Sequence, residues 1–105
     1  MSEQLSKAPA LPRITAAVDV FENDEHYLVR ADVPGADKEH VDISFHEGKL
    51  SFEATLESDR VYTRTLGFGD DVDPDRIEAS LEHGVLSLQL AKSAANKPRK
   101  IAIRA

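Results

Sequence analysis

Four histidines, His26, His40, His46 and His83, are the side chains of this 105-residue chain best suited to proton transfer or metal binding near neutral pH. Their spacing argues against both roles. His40 and His46 stand six positions apart in what reads as one strand, about 20 Å, whereas a shared metal ion needs each nitrogen within about 2 Å. His40 and Asp42 fall on one strand face, but a lone pair of this kind on a solvated strand is ordinary surface. The chain has no serine elbow, no phosphate-cradling glycine loop and no H-E-x-x-H. It also has no cysteine, which removes thiol catalysis, disulfides and cysteine metal sites together. The expectation is a protein that is not an enzyme and needs neither metal nor cofactor.

Composition points the same way. Hydrophobic residues make up 41% and charged residues 30%, the balance of a globular chain, and the length suits one domain. No apolar stretch approaches the ~20 residues of a membrane helix, and no basic segment leads into an apolar run at the N-terminus. With the lack of cysteine, this suggests a cytoplasmic protein without a membrane partner. Charge is unevenly spread: residues 92–105 carry +5 and residues 1–91 carry −11, which together make the net −6. An acidic body of that size is a poor match for nucleic acid, which calls for clustered Lys and Arg. The basic end is either a solvated tail or a segment drawn to an acidic surface, its own or a neighbour's.

The elements follow from alternation. Residues 1–15 include Pro9 and Pro12 and show no sustained period, so they read as a flexible arm. Apolar residues then recur every second position in seven short segments: Val18–Glu22, Tyr27–Val33, Val41–Phe45, Leu50–Leu56, Val61–Phe68, Ile77–Leu81 and Leu86–Leu90. Pro34-Gly35, Glu47-Gly48 and His83-Gly84 supply turns between them. No segment holds a 3.6-residue period. Seven strands at roughly ten-residue spacing predict an all-β antiparallel sandwich over residues 16–91, followed by an extension over residues 92–105. Gly84 is expected at φ > 0 in the last hairpin.

That hairpin, with Ala79, Gly84, Val85 and Leu86 in the spacing A-x-x-x-x-G-V-L, resembles the signature of the α-crystallin domain of small heat-shock proteins. The resemblance extends over most of the chain. V-D-V-F-E-N-D-E-H-Y-L-V-R-A-D-V-P-G from Val18, V-D-I-S-F-H-E-G-K-L-S-F from Val41, and Ile101-Ala102-Ile103 as the family's C-terminal I-x-I fall in the family's order and spacing. The resemblance implies an immunoglobulin-like sandwich acting as an ATP-independent holdase, a chaperone of the stress response that binds unfolding proteins and keeps them from aggregating. It also implies that Ile101 and Ile103 dock in a groove between two strands. Here that groove corresponds to Val41, Ile43 and Phe45 on one side and Ile77, Ala79 and Leu81 on the other. In an extended segment the two isoleucines lie on one side, about 7 Å apart, and Pro98 keeps the approach from coiling. The other reading of Ile101 and Ile103 is an ordinary last strand on their own domain.

Two departures bear on assembly. Bacterial and plant members of the family carry a long loop between the fourth and fifth strands, with a strand exchanged between dimer partners. Here Glu57 to Arg60 can span at most about 14 Å, enough for a hairpin only. The N-terminal arm is also short for a region the family uses in client capture and higher assembly. The expected partners are non-native client proteins and copies of the chain itself, as a dimer or small homo-oligomer or remaining a monomer. Gly69 stands where the family usually has proline. Arg64 aligns with an arginine common in the family; it shares a face with Tyr62 and Leu66 and is expected to meet an acidic partner. The alternative function is a co-chaperone adaptor of the CS-domain type, a similar sandwich that binds a folded partner.

Overall fold

The computed structural model describes residues 11–57 and 59–94. They form eight strands: β1 (Arg13–Thr15), β2 (Val18–Glu22), β3 (His26–Asp32), β4 (Val41–His46), β5 (Lys49–Leu56), β6 (Arg60–Gly67), β7 (Val72–Glu82) and β8 (Val85–Lys92). Two three-residue 3-10 turns, Lys38–His40 and Gly69–Asp71, lie between the strands. One sheet runs β1-β6-β5-β4 and the other β2-β3-β8-β7. The chain passes from β1 to β2 through Ala16 and Ala17, so these two strands share one edge of the sandwich and β4 and β7 border the other.

The period-2 pattern explains the layering. Val29, Ala31 and Val33, then Leu50, Phe52 and Ala54, then Leu86, Leu88 and Leu90 project from the central strands into one core and are buried. At ~25 cal/mol per Å² of apolar surface removed from water, this intersheet layer is the main stabilising term. Register is set by tight turns. His83 and Gly84 both have positive φ, 51° and 76°, the combination of a type I′ turn whose twist matches the flanking strands. The turn is also fixed from outside, since the Val33 amide donates to the Gly84 carbonyl at 2.8 Å. The D-V-P-G turn closes by an Ala36 amide to Val33 carbonyl bond of 3.1 Å, with Gly35 at φ 89°. The two sequence motifs therefore lie against each other.

Four features differ from the alternation pattern. Arg13–Thr15, read as part of the arm, pairs parallel with Val61–Thr63 of β6. The three residues are exposed, so backbone hydrogen bonds rather than an apolar face hold them in place. Strand β7 begins at Val72 and passes an irregularity before Ile77, where Pro74 cannot donate to the ladder. Lys92, counted with the tail, is the last residue of β8 and is buried. Gly69, at φ 60°, occupies a conformation that proline's ring forbids, which explains the residue type there.

Between β5 and β6 the ladder continues to Leu56 opposite Arg60, and the Asp59 amide donates to the Leu56 carbonyl at 2.8 Å. The connection is a tight hairpin with no room for an exchanged strand.

Candidate functional site: an apolar cleft between two edge strands

Strand β4 pairs with β5 only, and β7 with β8 only, so each is the last strand of its sheet. Val41, Ile43 and Phe45 stand opposite Ala54, Phe52 and Leu50. Ile77, Ala79 and Leu81 stand opposite Leu90, Leu88 and Leu86. Paired residues in an antiparallel ladder project to the same side, so all six face inward from the two free edges. Val41, Phe45, Ile77 and Leu81 pack against the core and are half-buried. Midway along, Ile43 keeps 37% of its surface exposed and Ala79 is exposed as well. The middle of this edge is therefore open, a cleft between the two edge strands with Ile43 on one and Ala79 on the other.

At one end the cleft meets a concavity of about 370 Å³ where Phe45 and Gly48 approach Val72 and Pro74. The Phe68 and Gly69 amides both donate to the Gly48 carbonyl, at 2.7 and 3.2 Å, and hold the β6–β7 crossing against the β4–β5 turn. Backbone polar groups along the free sides of β4 and β7 supply hydrogen-bonding capacity to an extended segment laid in the cleft. Ile101 and Ile103, the expected docking pair, lie outside the described residues.

Arg64 shares the inner face with Tyr62 and Leu66, since these three stand opposite Phe52, Ala54 and Leu50 of β5. Its partner is not a carboxylate. Nη1 donates to the Ala16 carbonyl at 2.9 Å, which ties β6 to the crossing between β1 and β2. The bond satisfies a carbonyl that the short β1 ladder leaves over, with a charged donor worth more than a neutral one.

A polar cluster at the end of β8 went unread in the sequence. Lys92 is only 7% exposed, and its Nζ lies 2.6 Å from Glu22 Oε2 and 5.0 Å from the centre of the Tyr27 ring. The Tyr27 hydroxyl donates to Asp71 Oδ2 at 2.9 Å, and its ring packs against Phe68 with centroids 4.8 Å apart. Burial, and then the Asp71 hydrogen bond, push the Tyr27 phenol up to about 12. The Lys92 amide to Glu25 carbonyl bond and the Ser93 amide to Asp71 carbonyl bond, 2.8 and 2.7 Å, complete the clamp where β8 ends. A signal existed: Tyr27 and Lys92 each continue an inward-facing alternation, so their polar ends had to find partners, and Glu22, on the same side of β2 but more than half exposed, supplies one at the rim.

Among the described residues no group of His, Asp or Glu could hold a metal ion. Nor is any of their helices long and apolar enough to cross a membrane.

Residues 19–104 match the Hsp20/alpha crystallin family. The chain is 32% identical over its whole length to the 18 kDa antigen 1 of Mycobacterium avium, covering 80% of that protein. It is 31% identical to spore protein SP21 of Stigmatella aurantiaca, with 88% of this chain and 63% of that one aligned. Among solved structures, a small heat-shock protein from Xylella fastidiosa superposes with a TM-score of 0.68 at 30% identity, covering 87% of this chain and 97% of that one. Heat shock protein 16.0 from Schizosaccharomyces pombe gives 0.68 at 27% identity, covering 87% and 99%. The sandwich, the order of its motifs and these likenesses agree: the chain belongs to the Hsp20/alpha crystallin family, the small heat-shock chaperones.

Proposed function

We propose that the protein is an ATP-independent holdase whose β4–β7 cleft takes extended apolar segments of unfolding proteins. The observation that carries this reading is the open cleft at Ile43 and Ala79, an apolar strip with free strand edges on both sides. It offers non-specific burial together with main-chain hydrogen bonds, which suits a client defined by exposed hydrophobic residues rather than by one sequence. Nothing in the sequence resembles a nucleotide-phosphate cradle, which suits capture without ATP.

Ile101 and Ile103 occupy the same cleft at rest, on the chain's own domain or a neighbour's. Residues 91–100 can span about 33–36 Å, enough to reach a second copy. Burial of each isoleucine is worth roughly 1.5–3 kcal/mol before ordering costs, a reversible contact that a client can displace. The tight β5–β6 hairpin leaves no exchange arm, which supports a monomer, a dimer or a small homo-oligomer over a large shell. A chain without cysteine suits the cytoplasm.

Light scattering of an unrelated protein during heating tests the function. Suppression of aggregation in nucleotide-free buffer is the expected result. No suppression, together with tight binding to a folded co-chaperone, is the result of an adaptor and overturns the reading. For the tail, Ile101→Ser with Ile103→Ser should lower assembly size while the far-ultraviolet spectrum stays that of the folded sandwich; unfolding would make these residues a core strand.

A further inference from the structure

We propose that the free edge of β2 is a self-pairing surface, on which a second copy of this chain adds its own β2 antiparallel about a two-fold axis at Val20. The argument starts from the direction of the peptide groups. The Asp32 amide donates to the Ala17 carbonyl and the Asn23 amide to the His26 carbonyl, each at 3.0 Å. With the register Val18↔Ala31 to Glu22↔Tyr27, these bonds make residues 17, 19, 21 and 23 the ones that exchange hydrogen bonds with β3. The amides and carbonyls of Val18, Val20 and Glu22 therefore point away from β3, and among the described residues no strand lies beyond them.

This edge also carries the most exposed large apolar side chains described. Val20 is 47% and Phe21 53% exposed, on opposite faces of the same strand. Neither lysine nor proline interrupts Val18–Glu22, the devices by which an edge is normally protected. A two-fold at Val20 satisfies every outward group of the five-residue strand: Val20 faces its copy, and Val18 faces Glu22 in both directions. No like charges stand directly opposite, because Asp19 faces Phe21 and Glu22 faces Val18; Asp19 and its copy are diagonal neighbours, a repulsion that salt screens. Phe21 and its copy become diagonal neighbours on the outer face, within aromatic reach.

The other edges fit a second copy less well. β1 covers half of β6. β7 carries Pro74 at its irregularity and an acidic row, and β4 borders the cleft. The result joins two four-stranded sheets into one of eight strands, by a route that does not use the β5–β6 connection.

Charge provides a discriminating test. Two copies at −6 repel each other, so β2 pairing strengthens as salt is raised, whereas attraction of the basic tail to an acidic body weakens. Sedimentation equilibrium is run on the Ile101→Ser/Ile103→Ser chain, which removes the tail contact, at about 0.05 and 0.5 M salt. A species of twice the monomer mass, tighter at the higher salt, is expected. Val20→Pro removes an outward amide while leaving the β3 ladder intact, and should weaken the dimer about tenfold or more. Because the native chain has no cysteine, Val20→Cys gives a second readout that needs no destabilising change. A short bis-maleimide should link Val20→Cys into dimers and leave Ser44→Cys on β4 and Ser80→Cys on β7 unlinked. A monomer at every concentration and salt, or linking at Ser44→Cys or Ser80→Cys in place of Val20→Cys, overturns the proposal.

Discussion

Replacing Gly84 should cost far more than replacing a glycine elsewhere on the same surface, and the structure separates the reasons. A side chain at φ 76° meets the left-handed penalty of roughly 1–2 kcal/mol. A Cβ built on Gly84 would also lie 3.0 Å from Pro34 Cα, a backbone atom of the D-V-P-G turn that cannot rotate away. That turn is held in place by the Val33 amide to Gly84 carbonyl bond, so the strain spreads to both motifs. Overpacking of this kind adds about 1–3 kcal/mol. Gly84→Ala should therefore destabilise by about 2–5 kcal/mol, and Gly84→Val by more, since branching at Cβ narrows the conformations still open. Gly69→Ala isolates the first contribution, because φ is 60° and nothing lies within 4 Å of its Cβ. Gly67→Ala has neither and should fall within about 0.5 kcal/mol of the parent. Urea unfolding of the parent and the four variants at one protein concentration gives the ordering, and thermal unfolding should show the Gly84→Ala melting temperature lower by at least about 8 °C. Equal losses at Gly69 and Gly84 would refute the contact with Pro34, and no loss at Gly84 would refute the positive φ.

The remaining predictions concern the two polar ties. Tyr27 has its phenol raised from 10.0 to about 12, so its contribution to stability is complete below pH 10 and falls as the unfolded chain alone ionises between pH 10 and 12. The fall is of order 2–3 kcal/mol, and Tyr27→Phe should flatten it; parallel stability curves for the two chains over that range would remove the Asp71 hydrogen bond from the account. Arg64→Met leaves the Ala16 carbonyl without its donor and should cost about 1–3 kcal/mol, with Arg64→Lys restoring part of it, as read by denaturant midpoint. A loss below about 0.5 kcal/mol would mean that water replaces the guanidinium.

What was legible in the sequence was whatever a two-residue period encodes. Leu86, Leu88 and Leu90 announce an inward face, and the same alternation places Ile43 and Ala79 on the inner side of their strands. His83-Gly84 announces its turn because a type I′ turn demands positive φ twice. Less legible were features held by backbone groups. β1 has three exposed residues and no apolar face, and its place beside β6 depends on main-chain bonds and on one exposed ion pair, Arg13 Nη2 to Glu53 Oε2 at 2.7 Å, between residues 40 positions apart. For the same reason the partner of Arg64 could not be named: a carbonyl at Ala16 leaves no mark in composition. Lys92 was hidden by its company, a run of basic residues, although Glu22, its ion-pair partner, lies 70 positions away on an inward-facing site. How open the cleft is at Ile43 depends on the spacing of two sheets, which no local pattern reports.

In the proposed function the cleft between β4 and β7 itself captures unfolding protein. Its most direct test is light scattering of a heat-aggregating, unrelated protein in nucleotide-free buffer, comparing the native chain with Ile43→Asp at equal concentration. Ile43 is 37% exposed on an edge strand, so a charge there should leave the sandwich folded while making the apolar strip costly to cover. The account predicts suppression by the native chain and its loss in Ile43→Asp, with both chains keeping the same folded spectrum. Equal suppression by a folded Ile43→Asp chain would contradict it and move the client surface elsewhere on the molecule.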